Sequence, residues 1–79
     1  MESKYQITEK QYLEIQNRFT YHKPKDDQPA RYEEIRKRAH GLAISLLEAC
    51  PDSRERSLAL THLEDAVMWA NASIARNEV

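Results

Sequence analysis

One stretch of this chain, Ser53–Arg76, contains neither proline nor glycine, and it constrains the fold more than any other feature. Its apolar residues recur every three or four positions, which predicts one helix of about six turns with an apolar stripe. The stripe consists of Leu60, Leu63, Val67, Ala70 and Ile74. Trp69 and several alanines lie on other faces, so one neighbouring helix cannot cover all the apolar surface. We therefore expect other copies of the chain to cover the rest.

The chain length of 79 residues predicts a single domain over 1–79 that needs stabilisation beyond its own core. At this size one core supplies only ~3–5 kcal/mol. Self-association is the expected source, because the lone cysteine, Cys50, cannot form an intramolecular disulfide and lacks zinc-ligand spacing to any histidine. Cys50 is expected to be a structural residue at a helix end. The sequence predicts no metal and no cofactor.

Charge and composition exclude several classes of partner and fold. The 12 basic and 13 acidic residues nearly cancel, so the chain lacks the positive field that selects duplex nucleic acid or an anionic membrane. No apolar run approaches the ~20 residues of a membrane span, and the first residues do not resemble a signal peptide. We expect a cytoplasmic protein. A single glycine and many strong helix formers favour an all-α fold.

The first 18 residues predict one short helix. Thr8 is a suitable N-cap, and the helix is expected to run to about Arg18. Three apolar residues share one side of it: Tyr12, Ile15 and Phe19. A helix this short is unstable alone, so residues 1–18 are expected to dock by laying that side on the rest of the chain.

An irregular segment separates this helix from the next. Residues 20–30, TYHKPKDDQPA, contain two prolines and two aspartates that interrupt any helical period. We assign residues 19–28 to a loop, which is a candidate ligand-binding segment.

A second long helix is predicted from Pro29 to about Ala49. Its apolar residues repeat at intervals of four and three: Ile35, Ala39, Leu42, Leu46 and Ala49. Gly41 lies inside this helix at a cost of ~1 kcal/mol relative to alanine. Either a neighbouring backbone approaches closely there, which we favour, or the position merely tolerates glycine.

The connection to the last helix is short. Pro51 disfavours helical backbone in the residue before it, and Asp52 or Ser53 then caps the next helix, with Glu55 placed for a capping box. So short a connection forces an antiparallel helical hairpin over 29–79. The predicted fold is therefore all-α: a short N-terminal helix and a long hairpin, assembling into a compact homo-oligomer.

The loop carries one candidate binding site. Its TYHKPK sequence brings Tyr21, His22 and two ammonium groups together, which suits stacking on a base and neutralising a phosphate. On composition alone, a solvated loop with Tyr21 packed on its own hairpin is the simpler interpretation.

Three helical residues are further candidates, each with an ordinary alternative. Arg36 belongs to a basic run that is explained more simply by a solvated face pairing with Glu33 and Glu34. Asn71, among apolar neighbours, either hydrogen-bonds across an interface or offers its amide to a polar ligand. Arg76 complements the helix dipole or reaches an anion.

Catalytic patterns are missing from the sequence. It contains no acid pair, no nucleophile with an adjacent base and no glycine-rich phosphate loop, and a slim hairpin offers no deep pocket of its own. We expect a protein that is not an enzyme and a ligand site that forms between subunits.

Two long segments resemble a known family. The sequence YHKPKDDQPARYEEIRKRAHGLA, followed by CPDSRERSLALTHLEDAVMWANASIARNE, resembles the phage-encoded anti-CBASS sponge proteins. The likeness covers roughly residues 19–78, and the succession CP-SRE-SLALT-LE-AVMWANA-IAR carries most of it. That family shares its helical hairpin with a related phage sponge that counters Thoeris defence.

The resemblance implies a homohexamer that binds cyclic oligonucleotides at protomer boundaries without cleaving them. By the same resemblance, Tyr21 stacks on a purine, Arg36 covers that base or pairs with the phosphate, and Arg76 contacts a phosphate. Cyclic dinucleotides are the implied ligands, and some family members also bind cyclic trinucleotides in a second kind of pocket.

Two hypotheses from different classes follow. The first is a sponge acting in the cytosol of the host cell, which captures cyclic nucleotides and silences CBASS effectors. The second is a helical adaptor or anti-repressor that uses the same hairpin to grip a protein. Composition alone favours the adaptor, whereas the long C-terminal signature favours the sponge.

Overall fold

A computed structural model describes residues 3–78 of the chain and contains three helices. These are α1 (Glu9–Phe19), α2 (Gln28–Ala49) and α3 (Arg54–Asn77). The described residues contain no strand, so the predicted all-α fold is confirmed. None of the three helices has the length and apolarity needed to cross a membrane.

The helices α1 and α3 begin at side-chain caps. The Thr8 hydroxyl accepts a hydrogen bond from the Gln11 amide at 3.1 Å, and the Gln11 side chain accepts one from the Thr8 amide at 3.0 Å. This capping box satisfies two of the amides left free at a helix start. Ser53 caps α3 by accepting from the Arg56 amide at 3.1 Å. Glu55 lies one position too early to reach back to Ser53, so the capping box predicted for α3 is wrong.

The helices α2 and α3 form the predicted hairpin. The amide of Cys50 still donates to the Leu46 carbonyl at 3.0 Å, and α2 ends there because Pro51 follows. Arg56 closes the turn by donating to the Cys50 carbonyl and to the Asp52 carboxylate, both at 3.1 Å. Most residues of the two predicted stripes are half-buried: Ile35, Ala39, Leu46, Leu60, Leu63, Val67, Ala70 and Ile74. Two residues of the α2 stripe, Leu42 and Ala49, are exposed.

The apolar side of α1 does not pack on the hairpin of its own chain. Tyr12 and Ile15 are exposed, and Phe19 is 82% exposed. The expectation that these residues dock on the hairpin is therefore wrong for the single chain. Only the last turn of α1 is tied to α3, through a hydrogen bond from the Asn17 side chain to the Arg76 carbonyl at 3.1 Å.

The single chain has little interior. No hydrophobic residue among the described ones is buried, and the one buried residue there is polar, Gln28, at 4% exposure. A methyl group added at Gly41 would meet nothing within 4 Å. The close backbone approach that we favoured for Gly41 is therefore wrong within one chain.

Candidate functional site

The five residues singled out in the sequence lie around one cleft. An open cavity of about 380 Å³ is walled by the last turn of α1, the loop, and the facing parts of α2 and α3. Its lining comprises Arg18, Thr20, Tyr21, His22, Pro24, Tyr32, Arg36, Asn71, Ala72, Ala75 and Arg76. The structure thus brings Tyr21, His22, Arg36, Asn71 and Arg76 together, although they span 55 positions of the chain (76 minus 21).

His22 ties the start of the loop to α1. Its Nε2 lies 2.9 Å from the Asn17 carbonyl oxygen. A carbonyl only accepts, so Nε2 carries the proton and donates. Because Asn17 also donates to the Arg76 carbonyl, one residue holds α1, the loop and α3 at the rim of the cleft.

Gln28 ties the other end of the loop to α3. Its side-chain oxygen accepts from the Lys25 amide at 3.1 Å, and its Nε2 donates to a Glu78 carboxylate oxygen at 3.2 Å. Arg31 donates to the other Glu78 oxygen at 2.9 Å. We call Gln28, Arg31 and Glu78 the loop clamp. A buried amide with both ends hydrogen-bonded fixes the loop more firmly than exposed contacts would.

The loop clamp also sets the charge state of its carboxylate. Hydrogen bonds, first from Arg31 and then from Gln28, lower the pKa of Glu78 to about 2. The same contact with Glu78 raises the pKa of Arg31 above its usual range. Glu78 is therefore ionised throughout the physiological range, and the loop clamp stays closed there.

The cleft concentrates positive charge without compensation. Its lining includes Arg18, Arg36 and Arg76 and no carboxylate. Within residues 3–78, the side chains of these arginines form neither a salt bridge nor a hydrogen bond. Other arginines do pair with acids: Arg31 with Asp27 and Glu78, Arg38 with Glu34, and Arg56 with Asp52. An anion entering the cleft would meet three free guanidinium groups.

The structure bears on the simpler interpretations of two of these residues. The solvated face holds in part, since Arg36 is exposed and Glu34 accepts from Arg38 Nε at 2.8 Å, but Arg36 itself forms no ion pair within residues 3–78. Tyr21 is 72% exposed rather than packed on its own hairpin. Its ring therefore presents an open aromatic face beside the cleft.

Asn71 contributes a polar atom that has no partner in the described part of the chain. Its Oδ1 is buried and accepts no hydrogen bond from any described residue. Such an atom costs free energy unless a ligand or a second chain supplies a donor. This observation is consistent with both roles considered for Asn71, because a second chain across an interface or a polar ligand could each provide the missing donor.

The sequence analysis did not identify two residues of the cleft lining whose side chains could contact a ligand. Tyr32 precedes Arg36 by four positions, so both lie on one face of α2, and that spacing was a usable signal. Arg18 lies on α1, 58 positions from Arg76 (76 minus 18), and no local pattern connects the two.

Taken together, these features describe a small helical-hairpin protein with a cationic, tyrosine-lined cleft at one end. Comparison with protein-family models identifies the hairpin itself: a model described as "Acb2/Tad1, hairpin domain" matches residues 11–75. The chain belongs to the Acb2/Tad1 hairpin family. This match confirms the resemblance to the anti-CBASS and anti-Thoeris sponge family that the sequence motifs suggested. Comparisons with curated proteins and with solved structures gave no match.

Proposed function

We propose that this protein is a phage anti-defence sponge that binds cyclic oligonucleotide second messengers and withholds them from CBASS effectors without cleaving them. Family membership supports the class of function. The single observation that carries the proposal is the cleft itself: among residues 3–78, its lining holds two tyrosines, no acid and three arginines without a carboxylate partner. This combination suits a ligand that is anionic and aromatic at once.

The chemistry of a cyclic dinucleotide matches the cleft group by group. Tyr21 offers a face on which a base stacks, and Tyr32 lines the wall near Arg36. Arg36 and Arg76 supply guanidinium groups, which bind phosphate oxygens through paired hydrogen bonds. The cleft is open on one side, so a second copy of the chain completes the enclosure, in keeping with a site at a protomer boundary.

Capture without cleavage is part of the proposal. Phosphodiester hydrolysis calls for a general base or an activated water, and carboxylates are the usual means to hold either. The described lining supplies cations and aromatic faces, which hold a ligand. Sequestration needs affinity and abundance rather than turnover.

The test is calorimetric titration with 3′,3′-cyclic GMP–AMP, followed by a panel of cyclic di- and trinucleotides. Tyr21→Ala and Arg36→Ala should each weaken binding about 5- to 150-fold, because a stacked base or a charged hydrogen bond contributes ~1–3 kcal/mol. Tyr5→Ala and Arg54→Ala are matched controls, since both residues are exposed and lie outside the cleft. Variants at Tyr21 and Arg36 that bind as tightly as the parent would refute the site.

The fate of the ligand separates a sponge from a nuclease. Nucleotide released from the complex by heating should co-elute with the input on chromatography. Linear dinucleotide that accumulates in proportion to protein concentration would show that the protein is a phosphodiesterase and not a sponge.

One observation favours the helical adaptor as a second candidate. Trp69 is 68% exposed and Phe19 82% exposed, and exposed aromatics of this size are typical of protein interfaces. A protein that shows no thermal shift with any cyclic di- or trinucleotide would favour the adaptor, because bound ligand at a hundred times its Kd adds ~2.7 kcal/mol of stability.

A further inference from the structure

Arg18 stands at the junction of two cavities at the end of the hairpin. It lines the main cleft and also a neighbouring cavity of about 310 Å³ whose walls are Arg18, Phe19, Trp69 and Arg76. Arg18 and Arg76 are thus common to both cavities. Within the described part of the chain, neither guanidinium group has a hydrogen-bond or ion-pair partner.

The position of Arg18 is fixed by its neighbour Asn17. The Asn17 side chain donates to the Arg76 carbonyl at 3.1 Å, and the Asn17 backbone carbonyl accepts from His22 at 2.9 Å. Because the apolar side of α1 is exposed, these two hydrogen bonds hold the end of α1 against the loop and α3. They carry Arg18 to the same rim of the cleft as Arg76.

Two guanidinium groups on one rim repel each other unless an anion lies between them. Nothing in the described chain provides that anion, since the linings of both cavities lack a carboxylate. A phosphate group does provide it, and two arginines bind its oxygens with short charge-assisted hydrogen bonds.

We propose that Arg18 is a ligand-contacting cation that binds a phosphate of the captured cyclic oligonucleotide together with Arg76, and that Asn17 positions it. This inference rests on the proposed function and adds a role for α1: the helix delivers a charge to the site. The cation comes from α1, which precedes the motifs of residues 19–78 but lies within the matched hairpin domain of residues 11–75.

The experiment is titration of the full-length protein with 3′,3′-cyclic GMP–AMP. Arg18→Ala should weaken binding about 10- to 100-fold and reduce its dependence on salt, because a phosphate contact is lost. Arg18→Lys should recover part of the loss by restoring the charge without the paired geometry. Arg54→Ala is the matched control, since Arg54 also forms no ion pair within residues 3–78 and lies at the end of α3 opposite to Arg76.

Asn17 is tested by a double-mutant cycle. Asn17→Ala should weaken binding less than Arg18→Ala does, and the double variant should bind no more weakly than Arg18→Ala, because Asn17 acts through Arg18. Additive losses would assign Asn17 a separate role and overturn the positioning assignment.

The outcomes also separate this inference from the proposed function. If Arg18→Ala, or Arg18→Gln should the alanine variant fail to fold, binds as tightly as the parent while Tyr21→Ala does not, the role of Arg18 is wrong and the sponge stands. A folded parent that binds no cyclic oligonucleotide overturns both.

Discussion

Gln28 shows how much of the site depends on a single side chain. It is 4% exposed, yet its neighbours in the chain are exposed, so its burial comes from the loop and from α3 closing over it. Both ends of its amide are hydrogen-bonded, to Lys25 on one side and to Glu78 on the other. Replacing Gln28 would leave the Lys25 amide unpaired and free the loop that carries Tyr21.

The loop clamp gives stability a defined dependence on pH. Glu78 has its pKa lowered from 4.5 to about 2, so its folded form binds a proton less readily than its unfolded form. Its stabilising contribution is therefore complete above pH 4.5 and is lost as the pH falls from there towards 2. Glu78→Gln should lower Tm at pH 7 and should show a smaller loss of Tm between pH 5 and pH 2 than the parent.

The control for this prediction is Glu64→Gln, which removes an exposed carboxylate that forms no salt bridge within residues 3–78. Circular dichroism melts at several pH values measure both variants. Parallel Tm curves for the parent and Glu78→Gln across that range would show that the loop clamp contributes nothing to folding.

Residues of the site differ in how far sequence alone identifies them. Tyr21 and His22 are adjacent, and Tyr32 and Arg36 are four apart on one helix, so local spacing is enough to group each pair. By contrast, Arg18 comes near Arg76, and Gln28 contacts Glu78, only after the chain folds back on itself. The periodicity of the sequence does not indicate such contacts.

The elements, by contrast, follow closely from local signals. Each helix boundary lies within about one residue of its predicted position, because Thr8, Ser53 and Pro51 act on the backbone directly beside them. The docking of α1 was not predictable in this way. It depends on surfaces outside the helix, and the observed attachment uses Asn17 rather than the apolar side.

The N-cap of α3, Ser53, gives a testable prediction about stability. Ser53→Ala should destabilise the protein by ~0.5–2 kcal/mol, because the Arg56 amide loses its acceptor at the helix start. Glu55→Ala should change stability by less than ~0.5 kcal/mol, since that side chain forms no capping box. Urea unfolding of both variants measures the difference. Equal losses of stability would show that Glu55 does take part in capping the helix.

At the scale of the whole molecule, the missing apolar core requires explanation. Apolar grooves lie on both sides of the hairpin seam, one of about 390 Å³ lined in part by Leu60, Val67 and Met68. The exposed side of α1 adds further apolar surface. A soluble chain seldom leaves so much of it uncovered, so we propose that copies of the chain cover it by forming a homo-oligomer, for which the resemblance implies a hexamer.

Sedimentation tests the assembly. The parent should sediment as a multiple of 9.3 kDa at micromolar concentration. Trp69→Glu should dissociate or unfold it, because the change removes a large apolar contact and puts a carboxylate into an interface where it loses its hydration. Tyr5→Glu, at another exposed aromatic, shows whether the effect is specific to the position. A monodisperse monomer of the parent would remove the basis for a site shared between protomers.

The last turn of α3 has a consequence for how this sequence can change. The Arg76 carbonyl accepts a hydrogen bond from α1, and the Glu78 carboxylate accepts from Gln28 and Arg31. Both residues lie more than twenty helical residues beyond the cap at Ser53. One residue inserted into that span would turn the end of the helix by about 100° and advance it by about 1.5 Å. Both attachments would break together. The length of α3 therefore determines whether both attachments can form. Insertions or deletions that persist through evolution should fall before α1 or in the hairpin connection.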